Sequence, residues 1–399
     1  MKRNVAVIGI GQTKYMTRRM DVSEPELAFE AVVRALEFAS IELSEIDAVI
    51  FGLAPDAFEG VNLSEKWCAG AVGAVNKPYM RVNTGGATGT SALETGFYHV
   101  ASGYCEMVLV VCLQRVKEST DTQKIFNTIW DPIYEKDIAL NTISMISVQA
   151  TRQMEKYGLT EEQMAMVAVK NRKNGLKNPY AHIQKEVSLE EVLKSQVLCW
   201  PIKLLEACPS SDGACAVILA SEERARKVTD TPAWILGIAN CADTYYMGDR
   251  MGHWDYDFVD LAAESIAAQR AYRMAGISNP RTQIDVAEIY APFSNTEIVG
   301  CEAIGLCQRG EGGRFIEKGI SEMTGELPVN PSGGVQVANP IAATALIRAA
   351  EAALQVMGKA GDHQIPGAEI SVCTGAGGSS QFYTVVVFGN RLDEVSIWR

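Results

Sequence analysis

No two of the ten cysteines stand in a Cys-x-x-Cys pair, which argues against a zinc knuckle or a thioredoxin-like redox motif. Histidine is scarce, with only His99, His182, His253 and His363, and no metal site is expected. Basic residues are outnumbered: 36 Lys and Arg face 48 Asp and Glu, for a net charge of −12. No Lys/Arg cluster suited to phosphates interrupts that excess, which argues against a nucleic-acid partner but leaves room for a local basic patch on an anionic ligand. No run is long and apolar enough to cross a bilayer, so no membrane association is expected. Met1-Lys2-Arg3-Asn4 leads into a strand pattern rather than a signal peptide, and a cytoplasmic protein is expected. Gly9-x-Gly11 follows an apolar strand but lacks the third glycine of a dinucleotide fingerprint, and no acidic residue closes a second strand at the right place.

What is present is an α/β chain written twice. With 399 residues, 47% of them apolar and 21% charged, the chain can bury two large cores. Val5 to Gly11 reads as a buried strand, residues 26–40 as an amphipathic helix and Ile46 to Phe51 as a second strand. The same order returns at Trp234 to Ile238, residues 260–276 and Ile284 to Ile289. A glycine pair, a helix of small residues and a strand follow in both blocks: Gly85-Gly86 with residues 107–112, and Gly333-Gly334 with residues 369–373. Repetition at this scale points to duplication, with halves at 1–232 and 233–399 and mainly parallel sheets covered by helices. A polar helical insertion at about 117–200 breaks the first half and is a natural place for a lid or a subunit contact, the latter expected over 119–141.

Five motifs, in order along the whole chain, resemble the thiolase superfamily, nearest to its lipid-transfer-protein-type and archaeal members. Asn83-Thr84-Gly85-Gly86-Ala87-Thr88-Gly89 is similar to Asn-x-x-Cys-x-(Ser/Thr)-Gly, and Ser211-Asp212-Gly213-Ala214-Cys215-Ala216 to Ser-Asp-Gly-Ala-Ala-Ala. Tyr290-Ala291-Pro292-Phe293 stands where relatives carry Asn-Glu-Ala-Phe or His-Asp-x-Phe. Asn330-Pro331-Ser332-Gly333-Gly334 with Asn339-Pro340 resembles Asn-x-x-Gly-Gly followed by Gly-His-Pro, and residues 374–380 resemble the C-terminal glycine loop. The resemblance implies two pseudo-symmetric βαβαβαββ halves stacked in five layers (αβαβα), a homodimer or higher oligomer, and coenzyme A as substrate or product with no permanently bound cofactor. It also implies a possible small partner subunit carrying a zinc ribbon and an OB-fold.

Members of the superfamily typically use a Cys thiolate as acyl acceptor, a His to activate it, and a second Cys or His as acid/base. Here the first position reads Gly86, the Gly-His-Pro histidine reads Asn339, and the third block reads Tyr290. The second-cysteine position has two readings: without a gap it is Cys373, and with a two-residue shift it is Gly375. Backbone N–H groups at Gly85 and Gly86 and in the loop of Gly375, Gly377 and Gly378 are expected to face a thioester oxygen, and bare Gly86 to leave room for a bulky acyl group. Tyr290, a proton shuttle if nearby dipoles lower its pKa, Asn339 as an amide donor, Cys373 and His253 are the candidate catalytic groups, and Tyr246 a candidate substrate contact. The leading reading is β-ketoacyl-CoA thiolysis or Claisen acyl transfer without an acyl-cysteine. Retro-aldol cleavage of a β-hydroxyacyl-CoA and a non-catalytic CoA-thioester-binding subunit are the alternatives.

Overall fold

The computed structural model describes residues 3–116, 119, 121–250 and 257–392. Its strands are β1 (Val5–Gln12), β2 (Ala48–Gly52), β3 (Tyr79–Val82), β4 (Met107–Gln114), the short pair β5 (Val197–Cys199) and β6 (Ile202–Lys203), β7 (Gly213–Ser221), β8 (Ala233–Ala242), β9 (Val286–Glu288), β10 (Ile370–Gly377) and β11 (Phe382–Gly389). Nine of them form one sheet in the order β3-β2-β4-β7-β1-β8-β11-β10-β9. In the first half β2 runs parallel to β3 and β4, while β7 is antiparallel to β4 and β1. The second half repeats this outward from β8, with β11 antiparallel to β8 and β10, and β10 parallel to β9. A parallel bridge from Ala287 to Val329 marks the place of a fifth strand. The halves meet edge to edge where β1 and β8 pair over Ala6–Trp234 and Val7–Ala233.

Continuous apolar runs explain the strands: all eight residues of β1 and all nine of β7 are buried, as expected for strands covered on both faces. Helix Glu24–Ala39 lies on the outside of β1 and β7, and helix Ala262–Ala275 on the outside of β8 and β11. Between the half-sheets run helices Thr88–Ala101 and Ile341–Met357. The second is buried at every position from Ala342 to Met357, so its alanine-rich sequence is apolar all round rather than on one stripe. The two central helices approach closely because residue 89 is glycine: a Cβ there would collide with the Leu346 backbone nitrogen. Five layers result, and glycine turns lie where the inner helices begin.

In the insertion, helices Thr142–Tyr157 and Glu161–Gly175 start at side-chain caps from Asn141 and Thr160. The second is fixed to the C-terminal half by buried groups. Lys170 Nζ pairs with Glu297 at 2.8 Å and donates to the Val329 carbonyl at 2.6 Å, and Asn174 donates to the Asn330 carbonyl at 3.0 Å. These contacts tie the helix to the C-terminal half. Among the described residues no helix is long and apolar enough to cross a membrane.

Candidate active site

The chain leaves β3 into a tight turn and enters a central helix through one 3₁₀ turn, Gly85–Ala87. Gly85 adopts φ +63, a left-handed conformation that favours glycine. Asn83 Oδ1 accepts the Gly85 N–H at 3.0 Å, and Thr88 Oγ1 accepts the Thr84 N–H at 2.9 Å. The Gly85 N–H is thus engaged within the turn, which corrects its expected role as an oxyanion donor. The first helical N–H groups after it, on Gly86 and Ala87, begin a helix whose N-terminus favours negative charge.

The end of β10 presses on this turn from the other half. A Cβ at residue 377 would lie 2.5 Å from the Ala87 nitrogen and 2.9 Å from the Gly86 nitrogen, so both segments meet through bare backbone. Beyond it Gly378, Ser379 and Ser380 are all left-handed, with φ between 56 and 66. Buried Arg250 holds this strained turn by donating to the Ser379 and Ser380 carbonyls at 2.9 and 2.8 Å.

A cavity of about 700 Å³ opens at this junction, lined by Asn83, Gly85, Gly86, Tyr290, Ala376, Gly377 and Gly378, with apolar walls that include Met145, Ile146, Leu261, Phe293 and Val299. Tyr290 carries the decisive geometry. A Cβ on residue 86 would fall on the Tyr290 hydroxyl oxygen and within 2.5 Å of the Ala376 carbonyl oxygen. The phenol therefore fills the room that a side chain at residue 86 would need. This corrects the expectation that bare Gly86 leaves space for a bulky acyl group. Burial, reinforced by the nearby Cys208 thiol and opposed by Arg348, pushes the phenol pKa well above its ordinary value. The condition for a proton shuttle, a lowered pKa, is not met, and Tyr290 is a neutral hydroxyl suited to donate a proton or hydrogen bond.

Other expected groups fall elsewhere. Cys373 sits in the middle of β10, 0% exposed within the central core, and burial raises its thiol pKa well above normal. It does not line the cavity, and neither does Gly375, whose missing Cβ makes room for Thr90 and Ala345. Read without a gap, the motif places Cys373 near the chemistry; the strand continues four residues past it, to Gly377, and the cavity is lined by Ala376–Gly378. Asn339 is also absent from the cavity wall: its amide donates to Cys208 Sγ at 3.1 Å, and its oxygen accepts from Thr344 at 2.8 Å. Tyr246 stacks edge-on against Tyr134 and Tyr245, and it is Tyr245 that lines the cavity. His253 lies outside the described residues.

Two groups escaped the sequence reading. Cys208 is a half-buried thiol packed beside Tyr290, its pKa pushed up to about 11 by burial against the opposing Asn339 hydrogen bond. Glu264 lines the cavity while only 3% exposed. Its signal was legible, since it shares the buried face of its helix with Ala267, Ala268 and Ala271 at i+3, i+4 and i+7.

An α/β fold of two duplicated halves, with glycine turns from both halves meeting at one cavity, defines a thiolase-type architecture. Residues 5–223 match the family Thiolase, N-terminal domain, and residues 250–390 match Thiolase C-terminal domain-like. The chain belongs to the thiolase family. It is 35% identical over 388 residues to an acetyl-CoA acetyltransferase of Methanothermobacter thermautotrophicus, covering 97% of this chain and 99% of the relative. It is 30% identical to sterol carrier protein 2 of Homo sapiens, covering 93% of this chain and 69% of that protein. Among solved structures, the Ltp2-ChsH2(DUF35) aldolase is 26% identical with a TM-score of 0.81, covering 97% of this chain and 98% of that one. Human mitochondrial 3-ketoacyl-CoA thiolase in complex with CoA shares the fold at 17% identity and a TM-score of 0.71, over 98% of each chain.

Proposed function

We propose that this protein breaks or makes a carbon–carbon bond beside a CoA thioester without forming an acyl-cysteine. The Tyr290 hydroxyl in the place of a residue-86 side chain carries this reading. A phenol held neutral there is a poor acyl acceptor without a base beside it, but it can hydrogen-bond a developing oxyanion or protonate a carbanion. In this reading the thioester oxygen of an enolate is received by backbone donors at Gly86 and Gly378, which both line the cavity. The cavity of about 700 Å³ falls within the usual range, roughly 300–1,000 Å³, for small-molecule sites.

Retro-aldol cleavage of a β-hydroxyacyl-CoA stands first, because it needs only a base at the hydroxyl and donors for the enolate, and the Ltp2-ChsH2(DUF35) structure is an aldolase. Thiolysis of a β-ketoacyl-CoA by direct attack of CoA sulfur is the second reading, supported by the acetyl-CoA acetyltransferase relative. A small second subunit belongs to the proposal, since that aldolase pairs with a DUF35 protein. Residues 119–141 are proposed as the subunit contact, and exposed Ile133, Tyr134 and Ile138 support it. Incubation with both classes of CoA thioester, with and without free CoA, tests the assignment. Release of an aldehyde or ketone without CoA is expected, and strictly CoA-dependent cleavage would reverse the order of the two readings. A covalent acyl-enzyme trapped on any cysteine would overturn the reading as a whole.

A further inference from the structure

Glu264 is the only carboxyl among the described residues lining the cavity, and no described Lys, Arg or His lines it. Three other buried carboxylates are tied to cations and further structural partners. Glu288 binds Arg348 and Ser332, Glu297 binds Lys170, Asn171 and Asn330, and Glu351 binds His363 and Gln12. Among the described residues Glu264 has no such cation. Its hydrogen-bond partner is the Thr374 hydroxyl, which also accepts the Tyr290 backbone N–H at 2.9 Å. One hydroxyl thus links the carboxyl to the residue whose phenol abuts Gly86. Helix Ala262–Ala275 begins directly after Leu261, whose left-handed φ of 42 turns the chain so that its first turn faces the cavity. Burial without a counter-ion among the described residues makes the charged form costly and pushes the pKa up to about 8, within reach of both protonation states near neutrality.

We propose that Glu264 is the catalytic group that takes the proton from the substrate's β-hydroxyl and returns one to its α-carbon. This rests on the C–C cleavage function above. The carboxylate removes the hydroxyl proton, the oxygen electrons form the new C=O, and the Cα–Cβ bond breaks. Its electron pair becomes the enolate of the shortened acyl-CoA, held by the backbone N–H groups and the Tyr290 hydroxyl. Glu264 then gives its proton to Cα. One β-hydroxyacyl-CoA yields one acyl-CoA and one aldehyde or ketone, with no oxidant or metal in the balance.

The test uses the full chain, with its second subunit if one co-purifies, and follows deuterium entering Cα of acetyl-CoA and propionyl-CoA in D₂O. Wild type is expected to exchange the α-hydrogens. Glu264→Gln, which keeps the shape of the neutral acid, is expected to slow exchange about 10²–10⁴-fold, with propionyl-CoA affinity held within about threefold. Glu264→Asp retains the carboxyl and is expected to exchange faster than the Gln variant. Exchange by Glu264→Gln within threefold of wild type overturns the assignment while the proposed function stands. Equal losses in Gln and Asp variants, or loss of affinity in step with rate, also overturn it by making Glu264 a packing or binding residue. A wild-type protein that exchanges neither probe removes both the assignment and the function it rests on.

Discussion

The two halves each carry a glycine-pair turn leading into a buried helix, and the two turns have had opposite fates. The N-terminal turn, Gly85-Gly86, faces a cavity with bare backbone, and a phenol from the other half fills its side-chain room. The C-terminal turn, Gly333-Gly334, is closed. Left-handed Asn330 donates to Glu297 at 2.7 Å, Asn178 donates to the Ser332 carbonyl at 3.1 Å, and Arg348 donates to Ser332 Oγ at 2.6 Å. The backbone geometry recurs, but the neighbours decide its use. Where the partner segment is another glycine strand end, the turn becomes a site. Where the partners are charged and amide side chains from several surrounding segments, Glu297, Arg348 and Asn178 among them, it becomes a clamp.

The largest effect should come from breaking the clamp. Lys170→Met leaves Glu297 buried without its cation, and loss of one partner of a buried pair costs about 3–5 kcal/mol. A drop in the denaturant midpoint with no new cavity chemistry is expected, and an unchanged midpoint would break the contrast between the turns. On the open turn, Tyr290→Phe removes only the hydroxyl. Turnover should fall about 10²–10³-fold, the scale for losing one oxyanion donor, with the melting temperature little changed. Gly86→Ala should also inactivate, because its Cβ meets the Ala376 carbonyl as well as the phenol. Combining it with Tyr290→Phe should cost less than the two separate losses summed, as a kinetic double-mutant cycle will show.

A smaller effect concerns pH. Glu264 titrates in the folded chain at about 8, above its unfolded value near 4.5. Its contribution is fully present below the unfolded pKa and is lost as pH rises through the folded pKa. Each unit of difference is worth about 1.4 kcal/mol as an upper scale. The melting temperature of Glu264→Gln should therefore gain on wild type between pH 5 and pH 9, and parallel curves would show that the carboxyl is solvated. Smallest of all, Asn339→Ala removes the donor that steadies the Cys208 thiolate. Alkylation of Cys208 at pH 9 should slow about 2–10-fold, equivalent to one hydrogen bond of about 0.5–1.5 kcal/mol.

The sequence by itself determined the order of elements, the five-layer thiolase fold and the segments that build the site. Apolar runs, helical spacing and glycine turns are local signals, and residues 85–86, 290 and 377–378 did arrive at one cavity. It determined equally that residue 86 has no thiol. Only the tertiary structure decided what replaced it. That the Tyr290 phenol occupies the room left by Gly86, that Cys373 is enclosed in the core within β10, and that the Asn339 amide turns to Cys208 are facts of packing between residues far apart in the chain. Glu264 stands between these cases, a charge on an apolar helical face that the sequence displayed and only burial against a cavity made chemical. Local pattern specifies backbone, because backbone answers to its neighbours in sequence. Side-chain chemistry answers to its neighbours in space.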